Sequence, residues 1–216
     1  MSAVWLGSLK IEEKAQAQVK ATFGSAFKLL GTGFILMMVI SIFLVVGIDV
    51  GFNSNSGQFL SKQFAMDPTA AESGRSVYFF GKMLGTFLGA ILLTKLASRS
   101  FFRWTSLAAL VSIIVLLLVS GELTAMVIVF IIGLTVANIF PIIFSITVEK
   151  YPLRANEISG LMIMAVSGGA AIPPLMGYLT DTAGVTAGMI ILVICAVYLL
   201  LLSLFKPTEA KVSTGQ

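Results

Sequence analysis

Six long apolar runs govern what this chain can fold into. They are Phe27–Val50, Val77–Leu96, Phe101–Ser120, Leu123–Val148, Ile158–Thr180 and Val185–Phe205. A helix needs about 20 apolar residues to cross a hydrocarbon core of roughly 30 Å, and each run is long enough. A barrel strand would alternate polar and apolar residues over about ten positions, which none of these runs does. Little amphipathic sequence separates them, so the buried helices of a soluble domain fit poorly. Only 11% of the residues are charged and 57% are hydrophobic, whereas a soluble domain is about a quarter charged. The expected fold is an all-α membrane protein, a six-transmembrane-helix bundle over residues 27–205. Residues 1–26 are expected as a cytoplasmic segment and residues 206–216 as a polar cytoplasmic tail.

A net charge of +4 raises the question of nucleic acid, but position answers it, because the basic residues lie between apolar runs rather than in one patch. Lys10, Lys14, Lys20 and Lys28 precede the first run; Lys95, Arg99 and Arg103 follow the second. Lys150 and Arg154 follow the fourth, and Lys206 and Lys211 the sixth. These regions hold eleven of the fourteen basic residues and fall on one side of the membrane. Cytoplasmic loops carry the excess of Lys and Arg, so both termini are expected in the cytoplasm, with the chain an integral, multi-pass protein of the inner (plasma) membrane. The opposite side has one long connection around Asn53–Ser73 and two short ones, Gly121–Glu122 and Asp181–Gly184. With no His and one Cys, Cys195, no His/Cys metal cluster is expected and no cofactor is implied. The first residues lack a basic leader, apolar stretch and cleavage site, so a secretory signal is not expected.

Interruptions of the apolar pattern carry the functional information. Gly81, Gly85 and Gly89 form a small-residue row suited to close helix packing, and Gly184 and Gly188 read the same way. The stretch Ser167–Pro174 contains Gly168, Gly169, Pro173 and Pro174, and Pro removes a backbone donor, so a kink or loosening is expected there. These four residues are candidate hinge positions; a plain kink in a packed bundle is the other reading. A milder break is expected at Pro141, just after Asn138 and Phe140. Lys82 lies five to nine residues inside its run, a depth of about 8–14 Å at 1.5 Å per residue. Arg75, Tyr78, Lys82 and Thr86 share a helical face as a polar stripe. Lys82 either serves the function or snorkels to the headgroups. By hydropathy the first span ends near Asp49, yet Asp49, Asn53 and Ser56 repeat at helical spacing. The helix either stops there or continues to about Phe64, which would place Asp49 inside the membrane. Asn138, Gln58, Asn53 and Asn55 add neutral polar groups. Amides and carboxylates hydrogen-bond sugar hydroxyls, and rings such as Phe140 and Tyr78 can pack against a sugar's apolar face; Asn is also ordinary interhelical glue.

Several stretches together resemble the major facilitator superfamily and, within it, the fucose/galactose/glucose:proton symporter family. Residues 137–145 (ANIFPIIFS) followed by 159–181 (SGLMIMAVSGGAAIPPLMGYLTD) look like that family's tenth and eleventh helices. Residues 46–50 (VGIDV) look like the seventh, and residues 85–90 (GTFLGA) with Arg99 like the eighth and its loop. The family usually has Arg where this chain has Thr86, which puts that loop's conformational role in doubt. The resemblance covers half of the family's twelve helices; even Ala3–Glu12 looks like the end of a sixth helix, so Met1 could be internal to a longer reading frame. It implies the C-terminal half of a secondary transporter of alternating access, with sugar and a proton as its small-molecule partners. The family's best-understood coupling carboxylates lie in the other half.

The expected substrate-binding residues are Asp49, Asn53, Tyr78, Lys82, Asn138 and Phe140, with Asp49 and Lys82 open to pairing across the cavity. The expected partners are the lipid bilayer and either the missing six-helix half or a second copy; nucleic acid is not among them. The alternatives are a homodimeric half-size carrier and a non-transporting remnant or interaction protein. An enzyme is not expected, since the chain has no His and no recognisable Ser–Lys or paired-Asp motif.

Overall fold

The computed structural model describes residues 23–205. Within them a short helix, α1 (Phe23–Leu29), precedes eight others: α2 (Gly33–Phe64), α3 (Pro68–Leu93), α4 (Ser98–Leu118), α5 (Glu122–Val136), α6 (Ile139–Lys150), α7 (Ala155–Ala165), α8 (Gly168–Ala183) and α9 (Val185–Leu204). One 3-10 turn, Pro152–Arg154, joins α6 to α7. The pairs α5/α6 and α7/α8 are each one span interrupted near its middle, so six apolar spans result, as expected. There is no strand among the described residues. The expected segments at residues 1–22 and 206–216, with Lys10, Lys14, Lys20, Lys206 and Lys211, lie outside the described residues.

In a bilayer core no water is present to satisfy backbone N–H and C=O groups, so each crossing segment closes its own hydrogen bonds as a helix. α2 is the hub and packs against α3, α6, α7, α8 and α9. Its side chains Ile35, Ile42, Ile48, Phe52 and Leu60 are fully buried. α3 packs on α5, α5 on α4, α4 on α9 and α9 on α8, completing the bundle around α2. Outward faces are apolar: Phe80, Phe87, Leu118, Ile163 and Ile194 are all exposed, as a lipid-facing surface requires.

Hydrophobicity does not drive helices together in lipid; close approach does. Gly81 and Gly85 of α3 lie against the carbonyls of Phe130 and Leu134, and Gly133 of α5 lies against that of Tyr78. A Cβ at any of the three would run into backbone. Gly168 lies against the Phe43 carbonyl in the same way, and Gly47 against Ile172, bringing α8 onto α2.

The boundaries of the first two spans depart furthest in consequence from the expected ones. The first span begins at Gly33 rather than Phe27, because the turn Leu30–Thr32 separates α1 from α2. It runs on to Phe64, and α3 starts at Pro68 rather than Val77. The expected long connection around Asn53–Ser73 is therefore only residues 65–67. The polar ends of α2 and α3 stay helical because they pack on each other: Gly57 admits the Glu72 carboxylate and Gly74 admits Leu60. Asp67 caps α3, accepting from the Thr69 N–H at 2.9 Å, with Pro68 in the first turn. The ends carrying the basic loops gather together, with the Lys150 ammonium 4.0 Å from the Phe34 ring centre.

Ala65, which ends α2, has φ 53°, ψ 28°. A left-handed conformation costs a residue with a Cβ about 1–2 kcal/mol, and glycine escapes that cost. Ala65→Gly is therefore expected to raise stability by up to about 1 kcal/mol, read as a later midpoint in denaturant titration of the detergent-solubilised chain.

Candidate functional site: a charged pair in an open cleft

The centre of interest lies where α2 and α3 run side by side. Asp49 stands sixteen residues from Gly33 and fifteen from Phe64, at the middle of α2. Lys82 stands fourteen residues from Pro68 and eleven from Leu93, near the middle of α3. α3 starts nine residues earlier than Val77, with the polar stretch of residues 68–76 as its first turns. The Lys82 ammonium donates to Asp49 Oδ2 at 2.5 Å, so it turns to a carboxylate inside the bundle rather than to headgroups. Tyr78 Oη donates to Asp49 Oδ1, also at 2.5 Å. The Tyr78 ring is fully buried, its centre 5.1 Å from that of Phe52.

Both charged side chains remain partly open, Lys82 at 30% and Asp49 at 28% exposure. They face a cleft of about 240 Å³ lined also by Val45, Val46, Val136, Ala137, Phe140 and Pro141. Small-molecule sites usually enclose about 300–1,000 Å³, so this is the size of one wall and floor of a site. The interruption between α5 and α6 lines it directly. Pro141 has no N–H to offer the Ala137 carbonyl four residues back, and the helix pauses at Ala137–Asn138.

Of the six expected binding residues, Asp49, Lys82 and Phe140 line the cleft. The other three do not. Tyr78 lies beneath Asp49 with its ring buried, so in this arrangement it holds the carboxylate rather than offering a face to a ligand. Asn138 is buried in the α3–α5 seam, where its amide donates to the Gly85 carbonyl at 2.6 Å and its side chain fills the space that Gly89 leaves. Asn53 lies one turn beyond Asp49; its backbone carbonyl accepts from Arg75 Nε at 3.2 Å, and its side-chain oxygen is buried without a hydrogen bond. Gln58 is exposed, and Asn55 donates to the Gly51 carbonyl. Val45, Val46, Val136, Ala137 and Pro141 were missed as lining residues; the signal for the last three was Pro141 itself.

The other interruption sits at Val166–Ser167, ahead of Pro173 and Pro174, which lie inside α8. Here the helix tightens rather than opens. The N–H groups of Val166, Ser167, Gly169 and Ala170 each donate to a carbonyl three residues back, at 2.9–3.1 Å, the 3-10 pattern. Gly168 and Gly169 are the contact of α8 with α2, against Phe43, Val46 and Val50.

A charged pair at mid-span beside an interrupted helix is the kind of place where membrane carriers build their binding sites. The chain belongs to the Major Facilitator Superfamily, whose family model matches residues 29–216. It is 30% identical over 142 residues to a putative glucose/galactose transporter of Helicobacter pylori, a stretch covering 66% of this chain and 35% of that protein. It is 26% identical over 167 residues to a glucose/galactose transporter of Brucella abortus, covering 76% and 40%. Among solved structures it resembles FucP, a Major Facilitator Superfamily transporter in the outward conformation, with TM-score 0.77, 18% identity, and coverage of 84% of this chain and 44% of FucP. The matched stretches thus span less than half of each relative.

Tyr78→Phe keeps the ring against Phe52 and removes the hydroxyl that anchors Asp49. A hydrogen bond to a charged group contributes about 1.5–3 kcal/mol, and the variant is expected to lose stability of that order in detergent. An unchanged denaturation midpoint would show that the anchor contributes nothing.

Proposed function

We propose that this chain is the C-terminal six-helix half of a sugar:proton symporter that works by alternating access. The Asp49–Lys82 pair in the cleft carries this reading. A sugar presents hydroxyls that both donate and accept, so it can engage the carboxylate and the ammonium together. The Phe140 ring in the cleft wall suits a sugar's apolar face. The similarity to glucose/galactose transporters favours a hexose. The remaining wall comes from a second six-helix unit, either an N-terminal half or a second copy of this chain. The basic ends lie on the cytoplasmic side of the inner membrane, and where the second unit is an N-terminal half, that half carries the coupling proton. In the rocking of the two units, the interruptions at Ala137–Asn138 and Val166–Ser167, with Gly168, Gly169, Pro173 and Pro174 beside the latter, let α5–α8 bend.

The test is uptake of labelled glucose and galactose by vesicles holding the complete carrier. Asp49→Asn and Lys82→Met, each alone, are expected to lower uptake at least about tenfold, equivalent to roughly 1.4 kcal/mol. The double variant, free of any unpaired charge, is expected to exceed the worse single one. A double variant no better than that single one ends the pairing idea, and wild-type vesicles that take up neither hexose end the hexose assignment. Crosslinking this chain to itself in membranes, compared with crosslinking to an N-terminal half, decides which unit completes the cleft.

A further inference from the structure

The fold gives each oxygen of Asp49 its own donor, and the two donors differ in kind. Oδ1 is held by a hydroxyl on a ring that is fully buried. Oδ2 is held by an ammonium on a flexible four-carbon stem at the open side of the cleft. One oxygen is thus held by a buried group and the other by a group that lines the cleft. Ala137, whose carbonyl Pro141 leaves without its helical N–H, lines the same cleft. A carboxylate oxygen and a freed backbone carbonyl are the groups with which carriers hold a small cation at an interrupted helix.

The groups around Asp49 restrict what else could neutralise it. From α3 come Tyr78 and Lys82. The cleft walls of α5 and α6 present Val136, Ala137, Phe140 and Pro141, none of which titrates. α8 meets this part of α2 with Gly168, Gly169, Ile172 and Met176, and α9 with Leu192, again without charge. Among the described residues the one buried carboxylate is Glu157, at the start of α7, whose ion-pair partner is Arg154 at 3.7 Å.

We propose that Asp49 is a site for a small monovalent cation, and that Lys82 fills it as a cation tethered to the protein itself. The ammonium stands where a proton or sodium ion would otherwise bind. The wild-type site therefore needs neither ion, and removing the ammonium hands the site to one of them. The consequence for transport, that Asp49 does not carry the coupling proton, rests on the function proposed above; the cation site does not.

The experiment is thermal unfolding of the full chain in detergent, from about pH 5.5 to about pH 8.5, a range over which a carboxyl in water stays ionised. It is run in choline chloride and in sodium chloride, and it needs no sugar, so it succeeds or fails independently of the hexose assignment. Wild type, Lys82→Arg and the double variant Asp49→Asn/Lys82→Met are expected to share one shallow profile. Lys82→Met is expected to match them at low pH, where a proton neutralises Asp49, and to lose several degrees as pH rises. Recovery at high pH in sodium but not choline identifies an alkali-ion site; recovery only on acidification identifies a proton site. A Lys82→Met profile parallel to wild type in both salts overturns the proposal. So does a double variant that keeps the steep profile, since the titrating group would then lie elsewhere, at Glu157 for example.

Discussion

A carboxylate and an ammonium at the midpoints of two membrane-crossing helices are each costly alone, by about 2.5–3.5 kcal/mol on insertion scales. Together they are tolerable only if the helices hold them at contact distance. The pairing of Asp49 with Lys82 at 2.5 Å therefore constrains the register of α2 against α3. Tyr78 strengthens that constraint from below by fixing the second oxygen. The pair is not sealed in, however. Each partner is about 30% exposed to the cleft, so its attraction is screened and a competing donor can reach it. A fully buried pair would be harder to open, because each ion would lose its solvation without relief.

The backbone makes that placement possible. α3 lies so close to α5 that glycine hydrogens stand where side chains would be, at Gly81, Gly85 and Gly133. The same helix presents Tyr78 and Lys82 to Asp49 of α2. On the far side of α2, Gly47 and Gly168 bring α8 up just as closely. α2 thus has α8 closely crossed on one side and α3, itself closely crossed by α5, on the other, with Asp49 two residues past Gly47. The interruptions at Ala137–Asn138 and Val166–Ser167 fall on the spans beside this grip. Proline accounts for the first. The second is a 3-10 tightening nearly two turns ahead of its prolines, and the closeness of Gly168 to α2 accompanies it.

The exterior follows from the same economy. Large apolar side chains face outward on every span, which in water would be a sticky surface and in lipid is simply the solvent-matched one. The polar residues are left to line the cleft, stabilise helix seams or cap the ends.

Six crossings, their antiparallel order and the clustering of basic residues were legible from run length and charge position, because a bilayer imposes a length scale that sequence must meet. The glycine row was legible as packing for a similar reason. Asp49, Lys82 and Phe140 could be read as polar or aromatic anomalies, but their meeting could not. Nor could the end of the first span, since the polar halves of α2 and α3 remain helical only by packing on each other. Four residues overshoot a 3.6-residue turn by about 40°, and that offset divides one apparent stripe: Tyr78 beneath the helix, Lys82 at the cleft edge, Arg75 and Thr86 exposed. Asn138 went to the seam because Gly85 and Gly89 left room there. Hydrophobic length and charge position, properties of the chain alone, determined that it crosses the membrane six times. Which polar groups touch was decided by the close glycine crossings, because contact depends on distances between helices that lie far apart in the chain.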